Sequence, residues 1–156
     1  MNLYDPRPGH ALSLAPGKRV TTSMSPVMAL RNGKLVYALG LPGGKRIFPS
    51  ALQALLNLID HGMSLQEAVE APRVWTEGNA LEVEQAVPDA VRAALASIGH
   101  EVLAVPTVAG GMNAIQFHDD GTLTGAACWR ADGTPVGVAG GLARAGVRFG
   151  ASLISE

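Results

Sequence analysis

The dipeptide Asn32-Gly33, set between two apolar runs, is the strongest constraint that this sequence places on its fold. Both residues tolerate positive φ, so the pair predicts a two-residue β-hairpin turn between strands over 27–31 and 34–40. The run 35–39 is continuously apolar, which is typical of a strand covered on both faces. A second hairpin is predicted at Asp119-Asp120-Gly121, between strands over 113–118 and 122–127.

Three helices and three further strands are predicted between the hairpins. Apolar residues at helical spacing indicate a helix over 49–61, and these residues are Leu52, Leu55, Leu56 and Ile59. Ser64 and Glu67 form a capping-box pattern for a short second helix that stops before Pro72. Pro88 and Gly99 mark the start and end of a third helix. Strands are predicted over 74–76, 81–84 and 101–105, so the mixed order of elements favours an α+β fold.

The length of 156 residues fits one domain. Residues 1–26 are rich in Pro, Gly and Ser and predict an extended loop region, whereas 27–130 hold every predicted strand and helix. Residues 131–156 are Gly-rich without apolar periodicity, which indicates a C-terminal tail. We therefore expect one folded portion with an irregular segment on either side.

Charge and composition exclude several classes of protein. Twelve basic and thirteen acidic residues give a net charge of −1, which offers no electrostatic footprint for nucleic acid. Charged residues make up only 16% of the chain, against about 25% in typical domains, so part of the surface is expected to contact another polypeptide. No apolar run approaches the length of a membrane span, and the first residues lack a signal-peptide pattern.

The sequence predicts no metal site and no cofactor. The single cysteine, Cys128, excludes an internal disulfide and a Cys-based zinc site, and without a recognisable partner it is not expected to act as a nucleophile. The four histidines are scattered and show no metal-binding spacing. Asp119 and Asp120 are explained by their turn, so they do not form an acid–base pair.

Gly43 and Gly44 lie between the buried strand and the first helix. A glycine pair there can direct two consecutive amides at an oxyanion or a phosphate, but it can equally form a tight strand-to-helix turn. Although Lys45 follows the pair, a phosphate-binding P-loop is rejected, because Leu39 and Arg46 stand where that motif requires Gly and Ser or Thr.

A cluster of hydroxyl groups precedes the first strand at Thr21-Thr22-Ser23-Met24-Ser25. Several hydroxyls in one loop can bind a carboxylate through hydrogen bonds. The alternative is that they satisfy nearby backbone groups in an ordinary turn.

Five segments, in this order, resemble the C-terminal part of the γ-glutamyltranspeptidases. They are Pro16-Gly17-Lys18-Arg19, Thr22-Ser23-Met24-Ser25-Pro26, Gly40-Leu41-Pro42-Gly43-Gly44 with Arg46-Ile47, Leu65 to Arg73 (LQEAVEAPR), and Gly110-Gly111-Met112-Asn113-Ala114-Ile115. The resemblance covers about residues 2–130, and its ordered segments are specific, whereas any one of them alone is weak.

This resemblance implies an N-terminal-nucleophile hydrolase, with 27–130 as the small-subunit portion of an incomplete four-layer αββα sandwich. The amides around Gly43 and Gly44 would then stabilise the tetrahedral oxyanion. Thr22 and Ser23 would correspond to the family's Ser-Ser pair, which binds the α-carboxylate of a γ-glutamyl compound such as glutathione. The implied partners are the large subunit and the upstream part of the small subunit, or a second copy of the chain.

The sequence departs from the family pattern at several positions. The family's catalytic Thr lies upstream of the matching segments, so the chain alone is expected to be inactive. Asn2 and Asp5 are the only nearby candidates for holding the substrate's α-amino group. Leu41 stands where many members have Ser, and the sequence past Gly125, including Cys128, diverges from well-known members.

Three functional hypotheses follow. The leading one is a γ-glutamyltranspeptidase-like segment that supplies the oxyanion and carboxylate contacts. The second is a non-catalytic module that binds γ-glutamyl groups or anions. The third is a segment of a related amide hydrolase, similar to the cephalosporin acylases, which acts on an acyl side chain. In each case an incomplete sandwich should leave a sheet edge unpaired, and such an edge favours association.

Overall fold

The computed structural model describes residues 4–137, which form a mixed α/β structure with two sheets and three helices. Its elements in chain order are β1 (Val27–Arg31), β2 (Lys34–Gly40), α1 (Ile47–Ile59), α2 (Leu65–Glu70), β3 (Val74–Trp75), β4 (Leu81–Glu84), α3 (Asp89–Ser97), β5 (Val102–Val105), β6 (Asn113–Phe117) and β7 (Leu123–Ala127). This order matches the one predicted from the sequence.

The larger sheet has four antiparallel strands in the order β1-β2-β6-β7. Both predicted hairpins are confirmed, with positive φ at Asn32 (52°), Gly33 (78°) and Gly121 (84°). The outer strands β1 and β7 each pair with one strand only among residues 4–137.

The smaller sheet has the order β3-β4-β5. β3 pairs antiparallel with β4, whereas β4 and β5 are parallel and are connected through α3. Pro88 is the N-cap residue of α3, directly before its first residue Asp89, and Gly99 follows the helix with a φ of 103°.

Helices α1 and α2 cover one face of the larger sheet. The core between them is formed by Leu39, Ala51, Ala54, Leu58, Leu65, Ala68, Val69, Met112, Ala114, Ala126 and Cys128. The capping box of α2 is confirmed, because Ser64 Oγ accepts from the Glu67 amide and the Glu67 carboxylate accepts from the Ser64 amide. The side chain of Gln66 joins α2 to β7 by donating to the Ala127 carbonyl over 2.9 Å.

The apolar residues that predicted α1 are not the ones it buries. Its buried face is made of different side chains, three of them small, namely Ile47, Ser50, Ala51, Ala54 and Leu58. Leu52, Leu56 and Ile59 are exposed, and only Leu55 of the predicted set packs against the core. Ala51 and Ala54 therefore lie on the core side of α1, whereas Leu52, Leu56 and Ile59 lie on its outer side.

The expectation that β2 is covered on both faces is met on one face only within residues 4–137. Leu39 faces the helices and is buried, together with its cross-strand neighbour Ala114. The opposite face carries Met28, Ile115 and Leu123, which are 70%, 42% and 63% exposed. This open sheet face therefore exposes large apolar side chains, as the outer side of α1 also does.

Two irregular segments lie outside the sheets. Residues 4–26 contain one isolated bridge, between Asp5 and Ser13. After β7, a 3-10 turn spans Trp129–Ala131, and the chain then passes so close to β7 that a Cβ at Gly125 would lie 3.3 Å from Pro135. The rest of the predicted tail, 138–156, lies outside the described residues. Within 4–137 no helix is both long and apolar enough to cross a bilayer.

Candidate active site

The strand register brings four chain segments to one end of the larger sheet. β1 begins at this end, where Val27 pairs with Leu39, and β2 leaves it through the segment 41–44. β6 begins opposite Gly40 and β7 ends opposite the start of β6. The segments 22–26, 41–44, 108–112 and 128–131 therefore all lie at this end of the sheet, and two of them contain the residues singled out from the sequence.

The predicted oxyanion residues Gly43 and Gly44 both have positive φ, of 153° and 60°. Gly43 precedes and Gly44 begins a 3-10 turn, Gly44–Arg46, that leads into α1, so their amides lie at the positive end of a helical segment. No group within residues 4–137 accepts a hydrogen bond from either amide. Two adjacent N–H groups are thus available to a ligand at one point of the loop.

The segment 108–112 supports this loop from one side. The Gly110 amide donates to the Pro42 carbonyl over 2.9 Å. A Cβ at Gly43 would lie 2.6 Å from the Cβ of Ala109, and a Cβ at Gly110 would lie 2.7 Å from Cγ of Pro42. Glycine is required at both positions because the two segments approach too closely for any side chain.

Arg46 supports the loop from the other side. Its guanidinium donates to both carboxylate oxygens of Glu82, at 2.7 and 2.9 Å, and stacks 3.9 Å above the ring of Trp75. Lys45 adds an ion pair with Glu77 at the surface. These contacts tie the turn that begins at Gly44 to the smaller sheet. The glycine pair is therefore held between the segment 108–112 on one side and the smaller sheet on the other.

A buried cluster of charges lies beneath the segment 108–112, and sequence reasoning missed its role. Glu84 Oε1 accepts from the Val108 amide over 2.7 Å, and its carboxylate also accepts from the guanidinium of Arg130. The Arg73 guanidinium donates to the carbonyls of Val108 and Gly110. Arg73 was visible only as the last residue of a matching motif.

The pKa values of the two arginines move in opposite directions. Burial, together with the nearby Arg130 charge, lowers the pKa of Arg73. Burial also opposes the charge of Arg130, but its hydrogen bonds and charge interactions with Glu84 and Cys128 together outweigh burial and raise its pKa. The cluster therefore binds Arg130 firmly and leaves Arg73 short of negative charge.

Thr22 and Ser23 are held much less firmly than the glycine pair. Thr22 is exposed, and its Oγ1 accepts from the Met24 amide over 3.2 Å, which is the local turn contact considered as the alternative. Ser23 is half-buried. Both hydroxyl hydrogens still have the capacity to donate to an added carboxylate.

Among the other candidate residues, those that the structure describes make local hydrogen bonds or pack against the core. Asp5 is tied to Arg7, whose side-chain and backbone hydrogen bonds lower the pKa of that carboxyl, while Asn2 lies outside the described residues. Asp120 accepts from the Thr122 amide, as expected for a turn residue. Leu41, at the position where many members have Ser, packs against the core instead. Residues 4–137 contain no cluster of three potential metal ligands.

Comparison with known proteins adds independent findings. The γ-glutamyltranspeptidase family model matches residues 1–138. An Acylase ACY 1 proenzyme from Pseudomonas sp. (strain SE83) is 72% identical over 94% of this chain, and a glutathione hydrolase proenzyme from Bacillus subtilis (strain 168) is 35% identical over 86%. The structure of a cephalosporin acylase from Bacillus halodurans is 29% identical with a TM-score of 0.75, and covers 85% of this chain.

Fold and sequence together define an N-terminal-nucleophile hydrolase segment. The chain belongs to the γ-glutamyltranspeptidase family. It spans about a quarter of the length of the proteins just named: 26% of the acylase proenzyme, 23% of the glutathione hydrolase proenzyme and 26% of the cephalosporin acylase chain. Because the relatives are proenzymes, the chain fits their small-subunit region.

Proposed function

We propose that this chain is the small-subunit segment of an amide hydrolase or transferase that acts on γ-glutamyl compounds such as glutathione. In this proposal, Gly43 and Gly44 supply the oxyanion hole, and Thr22 and Ser23 bind the substrate's α-carboxylate. The observation that carries the proposal is the pair of adjacent amides at Gly43 and Gly44, which have no acceptor within residues 4–137 and are held rigidly on both sides.

The proposed reaction is an attack on the γ-glutamyl amide by the family's N-terminal Thr, with the α-amino group of that Thr as the base. The attack places negative charge on the former carbonyl oxygen. Amides fixed in advance stabilise this charge without reorganising during the reaction, and this effect is often the largest single contribution to catalysis. The contacts of Ala109 with Gly43 and of Gly110 with Pro42 support such rigidity.

The open surfaces support the proposal that a larger assembly is needed. Met28, Ile115 and Leu123 line one exposed sheet face, and a second sheet about 10 Å away would bury them in a four-layer sandwich. The exposed outer side of α1 would contact a further part of the enzyme. The large subunit and the upstream part of the small subunit are the proposed occupants of these surfaces, with self-association as the alternative.

A second candidate function is hydrolysis of an amide whose acyl group is not γ-glutamyl. It is favoured by the 72% identity to an acylase proenzyme, against 35% to a glutathione hydrolase proenzyme. The same oxyanion loop would serve either reaction, because both pass through a tetrahedral intermediate. The two candidates differ only in what binds the far end of the acyl group.

Four anilide substrates test the proposal on the processed enzyme that carries this chain. The γ-glutamyl anilide has both α-substituents, the glutaryl anilide lacks the amine, the 4-aminobutyryl anilide lacks the carboxylate, and the butyryl anilide lacks both. A kcat/KM that is highest for the γ-glutamyl anilide supports the main proposal. Equal or higher values for substrates without the α-substituents support the acylase function, and no turnover of any of them by processed enzyme would refute both.

A further inference from the structure

Beneath the candidate oxyanion loop, the described residues place more buried arginine side chains than buried carboxylates. Arg73 and Glu84 are 2% and 1% exposed, and the side chain of Arg130 is 0% exposed. Within residues 4–137, two buried guanidinium groups thus share one carboxylate. An uncompensated buried charge is costly, so a second negative group is expected within the cluster.

Within residues 4–137, the hydrogen bonds show which guanidinium has no carboxylate as an acceptor. Glu84 receives the guanidinium of Arg130 but only the backbone amide of Arg73. The Arg73 guanidinium donates to the carbonyls of Val69, Val108 and Gly110. Its one remaining acceptor within residues 4–137 is Sγ of Cys128, at 3.9 Å.

Cys128 is buried and its sulfur is surrounded by donors. The Met112 amide donates to Sγ over 3.1 Å, in addition to the contact from Arg73. Cys128 is 1% exposed, so attack on a substrate by this sulfur is sterically blocked within the described fold. A buried sulfur with hydrogen-bond donors and a guanidinium around it is suited to carry negative charge instead.

We propose that Cys128 is a positioning residue whose thiolate balances the charge of Arg73 and holds the segment 108–112 against the candidate oxyanion loop. Ionisation moves one proton from the thiol to solvent and brings the cluster of Arg73, Arg130, Glu84 and Cys128 from a net charge of +1 to zero. The catalytic consequence rests on the proposed function, whereas the charge state does not.

The titration behaviour of Cys128 agrees with this role. Burial alone would raise the pKa of the thiol. Hydrogen bonds from the Met112 and Arg130 backbones and from the Arg130 side chain, together with the nearby Arg73 charge, outweigh burial and lower the pKa. Of the charged groups around the sulfur, Glu84 is the only acidic one in the cluster, and its carboxylate is already occupied by Arg130.

Cys128 reaches the glycine pair through a short series of contacts. The Cys128 amide donates to the Met112 carbonyl over 3.1 Å, while the Met112 amide returns a hydrogen bond to Sγ. Two residues earlier, Gly110 accepts from Arg73 and donates to Pro42, and the neighbouring Ala109 packs against Gly43. Loss of the charge on sulfur would therefore loosen the loop that positions the oxyanion amides.

The charge state is tested by the ultraviolet absorbance of the thiolate, measured as the difference between the protein that carries this chain and its Cys128→Ser variant. We expect thiolate near neutral pH and a midpoint below the ordinary thiol value of about 8.5. The free energy of unfolding should rise with pH between the folded midpoint and about 8.5, and the variant should lack this rise. A protonated thiol with an ordinary or raised midpoint would overturn the proposal.

The positioning role is tested by comparing variants of the processed enzyme. Cys128→Asp keeps a negative charge and should keep most of kcat, whereas Cys128→Ala should lower kcat by about tenfold or more with little change in KM. Ser50→Ala is the matched control, because it also removes one heteroatom from the same core, and the Ser50 hydroxyl has no partner within residues 4–137.

The outcomes separate this inference from the proposed function. Equal kcat for the Asp and Ala variants, or an equal loss in Ser50→Ala, would overturn the positioning role even if the enzyme acts on γ-glutamyl substrates. If the processed enzyme turns over none of the anilides, the proposed function fails, and the absorbance titration still decides the charge of Cys128.

Discussion

The two loops that carry the candidate site residues differ in how firmly they are held. The segment 41–44 is fixed between Ala109 and Gly110 on one side and, through Arg46, the smaller sheet on the other. The segment 21–25 lies at the same end of the sheet, but among the described residues its side chains make one recorded hydrogen bond, from the Met24 amide to Thr22.

This difference matches the two tasks that we propose for the loops. An oxyanion hole must be rigid, because its advantage comes from donors already in place when charge develops. A loop that binds a distant carboxylate contributes equally to the ground state and the transition state, and can become ordered when the substrate arrives. Loosening the segment 41–44 should therefore lower activity strongly, whereas loosening the segment 21–25 should have little effect.

The largest effect should follow from Glu84→Gln, which removes the only carboxylate of the buried cluster that supports the rigid loop. Breaking a buried ion pair typically costs about 3–5 kcal/mol of unfolding free energy. Chemical denaturation of the variant measures this loss.

Glu82→Gln is the matched control for that change. Glu82 is also in β4 and pairs with Arg46, but both side chains are partly exposed, and exposed ion pairs contribute about 0–1 kcal/mol. Equal destabilisation by the two substitutions would show that burial of the Arg73–Glu84–Arg130 cluster does not matter.

Gly43→Val should abolish most activity, because its Cβ would lie 2.6 Å from that of Ala109 and its φ of 153° favours glycine. Loss of one oxyanion donor costs about 10²–10³ in kcat in other enzymes. Steady-state kinetics and thermal unfolding should be measured on the same sample, since a fall in stability with normal kcat would support a purely structural turn.

Gly44→Ala and a rescue variant define the cause of that loss. An added Cβ at Gly44 meets nothing within 4 Å. The Gly44→Ala variant should therefore lose only the roughly 1–2 kcal/mol of unfolding free energy that a left-handed backbone costs a residue with a Cβ. Ala109→Gly removes the atom that blocks position 43, so Gly43→Ala combined with Ala109→Gly should recover activity that Gly43→Ala alone has lost. Failure of the rescue would mean that steric contact with Ala109 is not the cause.

Local sequence signals predicted the elements of this fold well. Three of these signals act through a few neighbouring residues, and the structure confirms all three. They are the Asn32-Gly33 turn, the capping box at Ser64 and the glycine at position 99. The face of α1 was misread because periodicity locates an apolar stripe without stating what covers it. Ala51, Ala54 and Leu58 face the core, whereas Leu52, Leu56 and Ile59 face outward.

The sequence predicted only those candidate site residues that are neighbours along the chain. Gly43 and Gly44 stand together in the sequence, and the family motif predicted the oxyanion role that we propose for them. The charged cluster joins Arg73, Glu84 and Arg130 across three separate segments, and such pairing depends on the strand order and the approach of the segment after β7. A single sequence contains no signal that links a charge in one segment to a charge 46 residues away.

A smaller effect, confined to KM, is expected at the loosely held loop. The double change Thr22→Ala and Ser23→Ala would remove the two proposed hydrogen bonds to a charged acceptor. Each is worth about 1.5–3 kcal/mol, so KM for the γ-glutamyl anilide should rise about a hundredfold or more. Because the carboxylate is remote from the scissile bond, kcat should change little. The 4-aminobutyryl anilide lacks that carboxylate and should be unaffected. Thr21→Ala and Ser25→Ala, in the same segment, should leave KM unchanged for both substrates. An equal loss for both substrates would show that the hydroxyls of Thr22 and Ser23 only hold the loop, as the bond between Thr22 and the Met24 amide already does.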